Sequence, residues 1–491
     1  MTTSIGNLNV IGVLTVDGNI ISGLYGTNGS NGLDGTKGDT GPAGTNGDGL
    51  NINIEKRNVS GGYNSMGDNT SGNNNTAIGY ASMSHIEDGG SNTAIGSGSM
   101  LINKTGINNT AIGMESMLNN ESSNNTAIGY ASMHDNVMGN QNTAIGSNSM
   151  YKNISGVNNT AIGNNSMYSN TTGSSNTAIG VNSMYNNTIG ANNTSIGYLS
   201  MQSNTTGVSN TAIGANSMIN NTTGYRNTSI GNGSMYYNTT GNFNTSIGFQ
   251  SMFNNITGAS NTSIGNGSLN SNTIGANNTS IGYLSMQSNT TGVSNTAIGQ
   301  SSMKLNTLGY YNTSIGDSSM YNNTTGTKNT CIGYSAGYNI TTGNNNICIG
   351  ANSQPSMATA SNEITLGDGS ITTLRCHANL TVLSDERDKK DIKPLEPCLD
   401  FVSQLKPVRF TWNMREESAN NGTYSMGFIA QDLKKLQEDT GITVPSLVNF
   451  SNPDRFEASY GTLIPVLVQA IKELKTEITQ LKTEITQLKP N

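Results

Sequence analysis

The run Ser384-Asp385-Glu386-Arg387-Asp388-Lys389-Lys390 sets a hydroxyl among acids and cations. Taken alone it reads as a helix start, with Ser384 as N-cap and acids in the first turn. A serine hydroxyl can also do acyl chemistry, but it is a weak nucleophile until a base removes its proton. Other reactive types are sparse or badly spaced. The four Cys and three His have no paired metal-ligand spacing, so neither a disulfide framework nor a zinc site is expected. No Gly-rich loop carries a Lys after its Gly pair, which removes support for nucleotide binding, and no cofactor is expected.

The charged run stands at a boundary. Only 11% of the 491 residues are charged, against roughly 25% for soluble proteins. Of the 53 charged residues, 30 lie from Ser384 onward. The body therefore lacks ordinary globular chemistry, while the tail has it. Poverty of charge could mark a membrane protein, but no stretch approaches the roughly 18 to 20 apolar residues that span a bilayer, so no membrane insertion is expected. A net charge of -7 without a basic run argues against nucleic acid. Met1 to Gly23 lacks a basic n-region and a continuous apolar h-region, so no secretory signal is expected. Export would then follow assembly in a host cytoplasm and lysis.

Several elements precede the tail. Residues 1–22 include short alternating apolar and polar runs and read as a β arm. Over 23–49, Gly recurs at every third position from Gly23 to Gly47, the period a collagen triple helix needs because only Gly fits its crowded axis. Pro42 is the sole proline there, which favours a flexible linker instead, but strict triplets over this length point to a short triple helix and a homotrimer. Residues 50–74 read as a connector.

From 75 to 367 the sequence is a repeat array. Eighteen Ile-Gly or Leu-Gly steps run from Ile78 to Leu366, spaced by 17 residues except for one step of 16 between Ile112 and Ile128. The consensus is N-T-[A/S]-I-G-x-x-S-M-x-x-N-x-T-G-x-x. Each copy is too short for two long helices and too poor in apolar groups to bury a core alone, so stacked coils of a β-solenoid or β-roll are expected. Gly and Asn at fixed places suit turns with positive φ. Ile should stack on Ile and Met on Met, with Asn and Thr forming ladders. The Met column reads as core, or else as an adaptable binding surface. Cys331 and Cys348 share the Ala or Ser position one coil apart, as small-residue replacements or as a disulfide. The many N-x-T and N-x-S triplets imply glycosylation only in a compartment with that machinery. The pattern resembles the head repeats of trimeric autotransporter adhesins and, more closely, the NTAIG arrays found ahead of fibre chaperone domains.

After a second connector at 368–383, four blocks follow in order: Ser384-Asp385-x-Arg387-x-Lys389 with Ile392; Leu405-Lys406-Pro407-Val408 with Phe410 and Trp412; Gly427-Phe428-Ile429-Ala430-Gln431; and Tyr460 to Leu474. Together residues 384–491 closely resemble the C-terminal intramolecular chaperone, a self-cleaving serine peptidase domain, of phage endosialidase tailspikes and tail fibres. The resemblance implies that the domain trimerises, guides folding of the preceding β-rich region, and then cuts the bond between Leu383 and Ser384. It implies Ser384 as nucleophile and Lys389 as general base. A lysine can serve so only where burial or neighbouring cations favour its neutral form; Arg387 or Lys390 could help, and Asp385, Glu386 and Asp388 would oppose. On a regular helix Ser384 and Lys389 would point about 140° apart, so an irregular turn or a contact across a trimer is required. Phe410, Phe428 and Trp412 read as core of this domain.

The chain closes with Ile464, Leu467, Ile471, Leu474, Ile478, Leu481, Ile485 and Leu488, a heptad over 464–488 whose mixture of Ile and Leu permits more than two strands. The expected molecule is mainly β: an elongated homotrimer with a collagen-like triple helix, a β-solenoid shaft, and an α+β chaperone ending in a coiled coil. Its expected role is structural, as a fibre or spike on a virion surface that meets a host receptor or glycan. A cell-surface adhesin is the alternative. A glycan-degrading tailspike is less favoured, because it would need paired carboxylates in a cleft and the body has few acids.

Overall fold

The computed structural model describes residues 15–16, 19–20, 50–377, 381–413 and 421–488. The Gly triplets of 23–49 lie outside the described residues, as does most of the 1–22 arm, of which Thr15–Val16 pairs antiparallel with Asn19–Ile20. The protein is mainly β, with a β-solenoid of about 18 turns and a helical C-terminal end. It divides into two compact units, Met1–Asn244 and Thr245–Asn491.

In the first unit each repeat forms one coil. Its three-residue strand pairs in parallel with the next, Thr143 with Thr160, Ala144 with Ala161 and Ile145 with Ile162. Strand side chains alternate, so the middle residue points inward and its two neighbours outward. Ala144 is fully buried, whereas the Ile that marks each repeat faces out, with Ile112 37% exposed. The large buried side chain is Met: the column from Met83 through Met100, Met117 and Met133 is inaccessible to solvent. Thioethers without branching suit this narrow interior.

Two corners per coil turn at positive φ, as at Asn148 (51°) and Asn158 (59°). Gly after the Ile is needed for a second reason. Gly163 has φ of 132°, and a Cβ there would lie 2.7 Å from the carbonyl oxygen of Gly180 in the next coil.

Buried Asn side chains tie the coils together. Asn170 Nδ2 donates to Asn153 Oδ1 of the preceding coil (2.7 Å) and to Gly173 O of its own (2.9 Å). Gly173 O also accepts from Asn159 Nδ2 (2.8 Å), whose Oδ1 in turn accepts from the amide of Asn176 (2.9 Å). Buried amides are thus satisfied along the axis rather than by water. Asn170, although part of an N-x-T triplet, is fully buried.

The short repeat keeps this network. Ser122 stands where other coils place Gly: its carbonyl accepts from Asn109 Nδ2 (2.8 Å), and its Oγ accepts from Asn136 Nδ2 (2.8 Å). Residues 50–74, read as a connector, already belong to the ladder. Asn58–Gly61 pairs in parallel with Thr76–Ile78, and Asn58 Oδ1 accepts from the Asn75 amide (2.8 Å).

The second unit repeats the pattern from Thr245–Ile247 to Ile364–Leu366. Where Ser replaces the inward Ala, hydroxyls pair, as between Ser251 and Ser263 (2.6 Å). Cys331 and Cys348 are buried free thiols in paired register. A hydrogen bond with Cys348, then burial, raises the Cys331 pKa. The same coil has Gly337 at the Met position, and a Cβ added there would collide with Cys331 Sγ, so the thiol fills space the Met has vacated. At Ile340 the Asn ladder stops, which leaves Asn323 Oδ1 without a donor among the described residues.

Beyond the last coil stand three helices, α1 (Leu399–Ser403), α2 (Ala430–Thr440) and α3 (Leu463–Leu488), with a strand pair of Val408–Thr411 and Tyr424–Gly427. Gly441 ends α2 in the left-handed region, at φ 68°. Phe401, Leu433, Leu447, Leu463, Val466 and Ala470 form the core. Trp412 does not join it: with 40% of its surface exposed, it packs edge-on against Phe410 (4.9 Å). The expectation that Phe410, Phe428 and Trp412 all form the core is therefore met only in part: Phe428 packs against it, whereas Phe410 and Trp412 pair with each other on the half-buried face of their strand.

Candidate functional site

The segment that carries Ser384 is neither a regular helix nor an extended strand. A single 3-10 turn, Glu386–Asp388, is flanked by extended residues, Asp385 at φ -69°, ψ 138° and Lys389 at φ -118°, ψ 143°. Asp385 caps the turn, its Oδ1 accepting from the Arg387 amide (2.9 Å), and the Lys389 amide donates to Glu386 O (3.0 Å). This reverses the chain within five residues and brings Lys389 Nζ to 2.7 Å from Ser384 Oγ and 3.2 Å from Ser384 O. The irregular turn, one of two routes open from the sequence, thus suffices within one chain.

Leu383 is 97% exposed, and both Ser384 and Lys389 are open to solvent. Two of the neighbouring charges are matched to each other. Arg387 binds the Asp385 carboxylate through Nε (3.0 Å to Oδ1) and Nη2 (2.6 Å to Oδ2). That side-chain contact, followed by the Arg387 amide, holds Asp385 below the usual carboxylate range, and the same contact raises Arg387. The sequence left open whether Arg387 would act on Lys389 as a free cation; the ion pair answers that its charge is matched at Asp385.

Two contacts missing from the sequence reading fasten the helices that follow the site in the chain. Glu473 on α3 accepts from the amides of Cys398 (3.0 Å) and Leu399 (2.9 Å) at the start of α1, and from Gln469 Nε2 (2.8 Å). The Cys398 amide, with smaller help from Leu399 and Gln469, holds this carboxyl below its usual value. Glu473 was hidden among the Lys and Glu of the heptad. Tyr460 Oη donates to Phe428 O (3.0 Å) and accepts from the Phe428 amide (3.1 Å), pinning the hairpin to the foot of α3. Gly427 is required beside it, since a Cβ there would lie 2.6 Å from Tyr460 Oη.

On α3, Leu463, Val466 and Ala470 face the core, while the heptad residues point elsewhere; Ile471, Ile478 and Leu481 are 65%, 44% and 56% exposed. Among the described residues no helix is long and apolar enough to cross a membrane.

Comparison with known proteins places these observations. No curated protein and no solved structure matches the chain. Residues 384–442, which begin at Ser384 and run through α1, the hairpin and α2, match the family described as chaperone of endosialidase.

Proposed function

We propose that the chain is a trimeric fibre or spike of a virus or phage, made for host attachment, whose C-terminal domain aligns three copies, assists their folding and then severs itself at Leu383–Ser384. A chaperone-of-endosialidase match beside a long β-solenoid fits a phage tail fibre or spike. The observation that carries the processing reading is the 2.7 Å approach of Lys389 Nζ to Ser384 Oγ at the first residue of that match.

The chemistry is a self-directed acyl transfer. Neutral Lys389 accepts the Oγ proton through its lone pair and keeps an N–H for Ser384 O. The alkoxide attacks the Leu383 carbonyl carbon, the C–N bond breaks, and the Ser384 nitrogen takes the proton and becomes a free amine. Water then hydrolyses the ester, leaving a Leu383 carboxylate and restoring the serine hydroxyl. A lysine works as base only where solvent is excluded or cations crowd it, and both side chains are open in the single chain. Packing of three copies is what would close the site, so cleavage follows assembly.

The apolar face of α3 that one chain leaves exposed supports the trimer. Near-identical coils could pair with slips of a whole repeat at small energetic cost, and a clamp at one end sets the register. The test is one gel beside one mass measurement. The intact chain should yield a trimer and a C-terminal fragment of 108 residues, the span from Ser384 to Asn491; Ser384→Ala should stay whole. A folded wild-type trimer that is never cut would end the processing reading, and a monomer would end the architecture.

A further inference from the structure

We infer that Asp385 and Arg387 form one positioning clamp, whose task is to hold the turn that presents Lys389 to Ser384; this rests on the processing reading above. Five residues of extended chain would separate the two groups by roughly 16 Å. A regular helix would set them on different faces. Their 2.7 Å contact therefore depends on the 3-10 turn between them.

In the single chain the turn contains no buried residue. Among the described residues local bonds hold it, and most of them converge on one carboxylate. Asp385 Oδ1 accepts from the Arg387 amide (2.9 Å) and from Arg387 Nε (3.0 Å), while Oδ2 accepts from Nη2 (2.6 Å). The planar fork of Arg matches a carboxylate in two-point fashion, which fixes orientation as well as distance. The turn is completed by the Lys389 amide on Glu386 O (3.0 Å).

The pair acts through shape and not through its field. Opposite unit charges in contact largely cancel at a distance, so Arg387 adds little net positive potential at Lys389. An exposed ion pair also contributes little to global stability. Its loss should leave the trimer intact and loosen the approach of Nζ to Oγ, and displacement by about 1 Å can cost up to about a hundredfold in rate.

The experiment follows appearance of the 108-residue fragment with time in the full chain, with native mass spectrometry on each variant. Arg387→Ala and Asp385→Ala should each slow cleavage about tenfold or more, and the double variant should be no slower than the slower single one. Arg387→Lys, which keeps the charge but loses the fork, should fall between. Asp385→Asn keeps an Oδ1 acceptor for the Arg387 amide and should retain part of the rate. Across pH, the plateau rate should fall while the midpoint of the profile stays in place.

Wild-type rates in both single variants, losses that multiply in the double variant, or a shifted midpoint with an unchanged plateau would each overturn the clamp. So would loss of the trimer in both single variants, because the pair would then be a folding element. If the wild type is itself never cut, the processing reading fails and takes the clamp with it. If the wild type is cut and the variants keep pace, only the clamp fails.

Discussion

At the residue scale the proposed chemistry is compressed into the six positions from Ser384 to Lys389. In the proposed cleavage Ser384 would supply the oxygen and Lys389 the base, and the intervening turn sets their proximity. Lys389→Ala should lower the cleavage rate by about a thousandfold, the usual worth of a positioned base, without altering the mass of the assembled trimer. Quantitative densitometry over a time course measures it. Glu473 gives a pH-dependent counterpart. Its carboxyl lies below the usual 4.5 in the folded domain because the Cys398 amide, then Leu399 and Gln469, favour the charged form. A depressed carboxyl adds stability that is full above its unfolded pKa and is lost as pH falls through the folded value. Glu473→Gln should therefore lower the melting temperature of the tail near neutral pH, and the gap should close as pH drops below about 4.5. Fluorescence of Trp412, the single tryptophan, reports on this domain alone.

At the scale of elements, a coil is stabilised less by apolar mass than by bonds repeated along the axis. Asn204 shows how. Its Nδ2 reaches Asn187 Oδ1 (2.8 Å) and Gly207 O (3.2 Å), and its Oδ1 accepts from Asn221 Nδ2 (2.9 Å). Asn204→Ala strands partners on both sides and should cost about 2–4 kcal/mol, at roughly 1–3 kcal/mol for each buried group left unmade. Amide hydrogen exchange should localise the loss to the adjoining coils. The reverse change belongs at the end of the ladder. Ile340→Asn offers the missing donor to Asn323 Oδ1, so its cost should fall well below the 2–5 kcal/mol typical of truncating a buried Ile. Chemical denaturation of the two variants side by side compares them.

For the whole molecule, taken as the proposed trimer, the question is how three chains would find one register. The α3 helix has two apolar faces: Leu463, Val466 and Ala470 are used within the chain, and the heptad is left outward. Charges placed on the outward face should thus separate assembly from folding. Ile478→Asp with Leu481→Asp should give a monomeric tail that still melts cooperatively and is not cut, as judged by light scattering and the same gel. Cleavage in such a monomer would break the proposed order of assembly before processing. Once cut, the shaft would lose its route back to the registered start, which makes its persistence kinetic.

The sequence by itself determined everything that repeats. A period of 17, Gly after each Ile and Asn at constant offsets admit one coil per repeat, because any other arrangement would break the columns that satisfy buried amides. The Ser384 to Lys389 motif was equally legible, since the residue types and order of four blocks carried it. Only the tertiary structure decided which way side chains face. Ile marks the repeat yet lies outside, and Met fills the core, because strand alternation turns the residue before the Ile inward, where the narrow coil holds Ala, Ser or Cys in all but the last repeat, which has Thr365. Trp412 is likewise 40% exposed, packed on Phe410 and not on the core of the tail. The contacts of Glu473 with Cys398 and of Tyr460 with Phe428 join residues separated by 75 and 32 positions, and no local pattern encodes such partners. The reversal that joins Ser384 to Lys389 was equally beyond the spacing, which on a regular helix sets the two on different faces; a 3-10 turn at Glu386–Asp388, with Asp385 bonded to Arg387, bends the chain back upon itself.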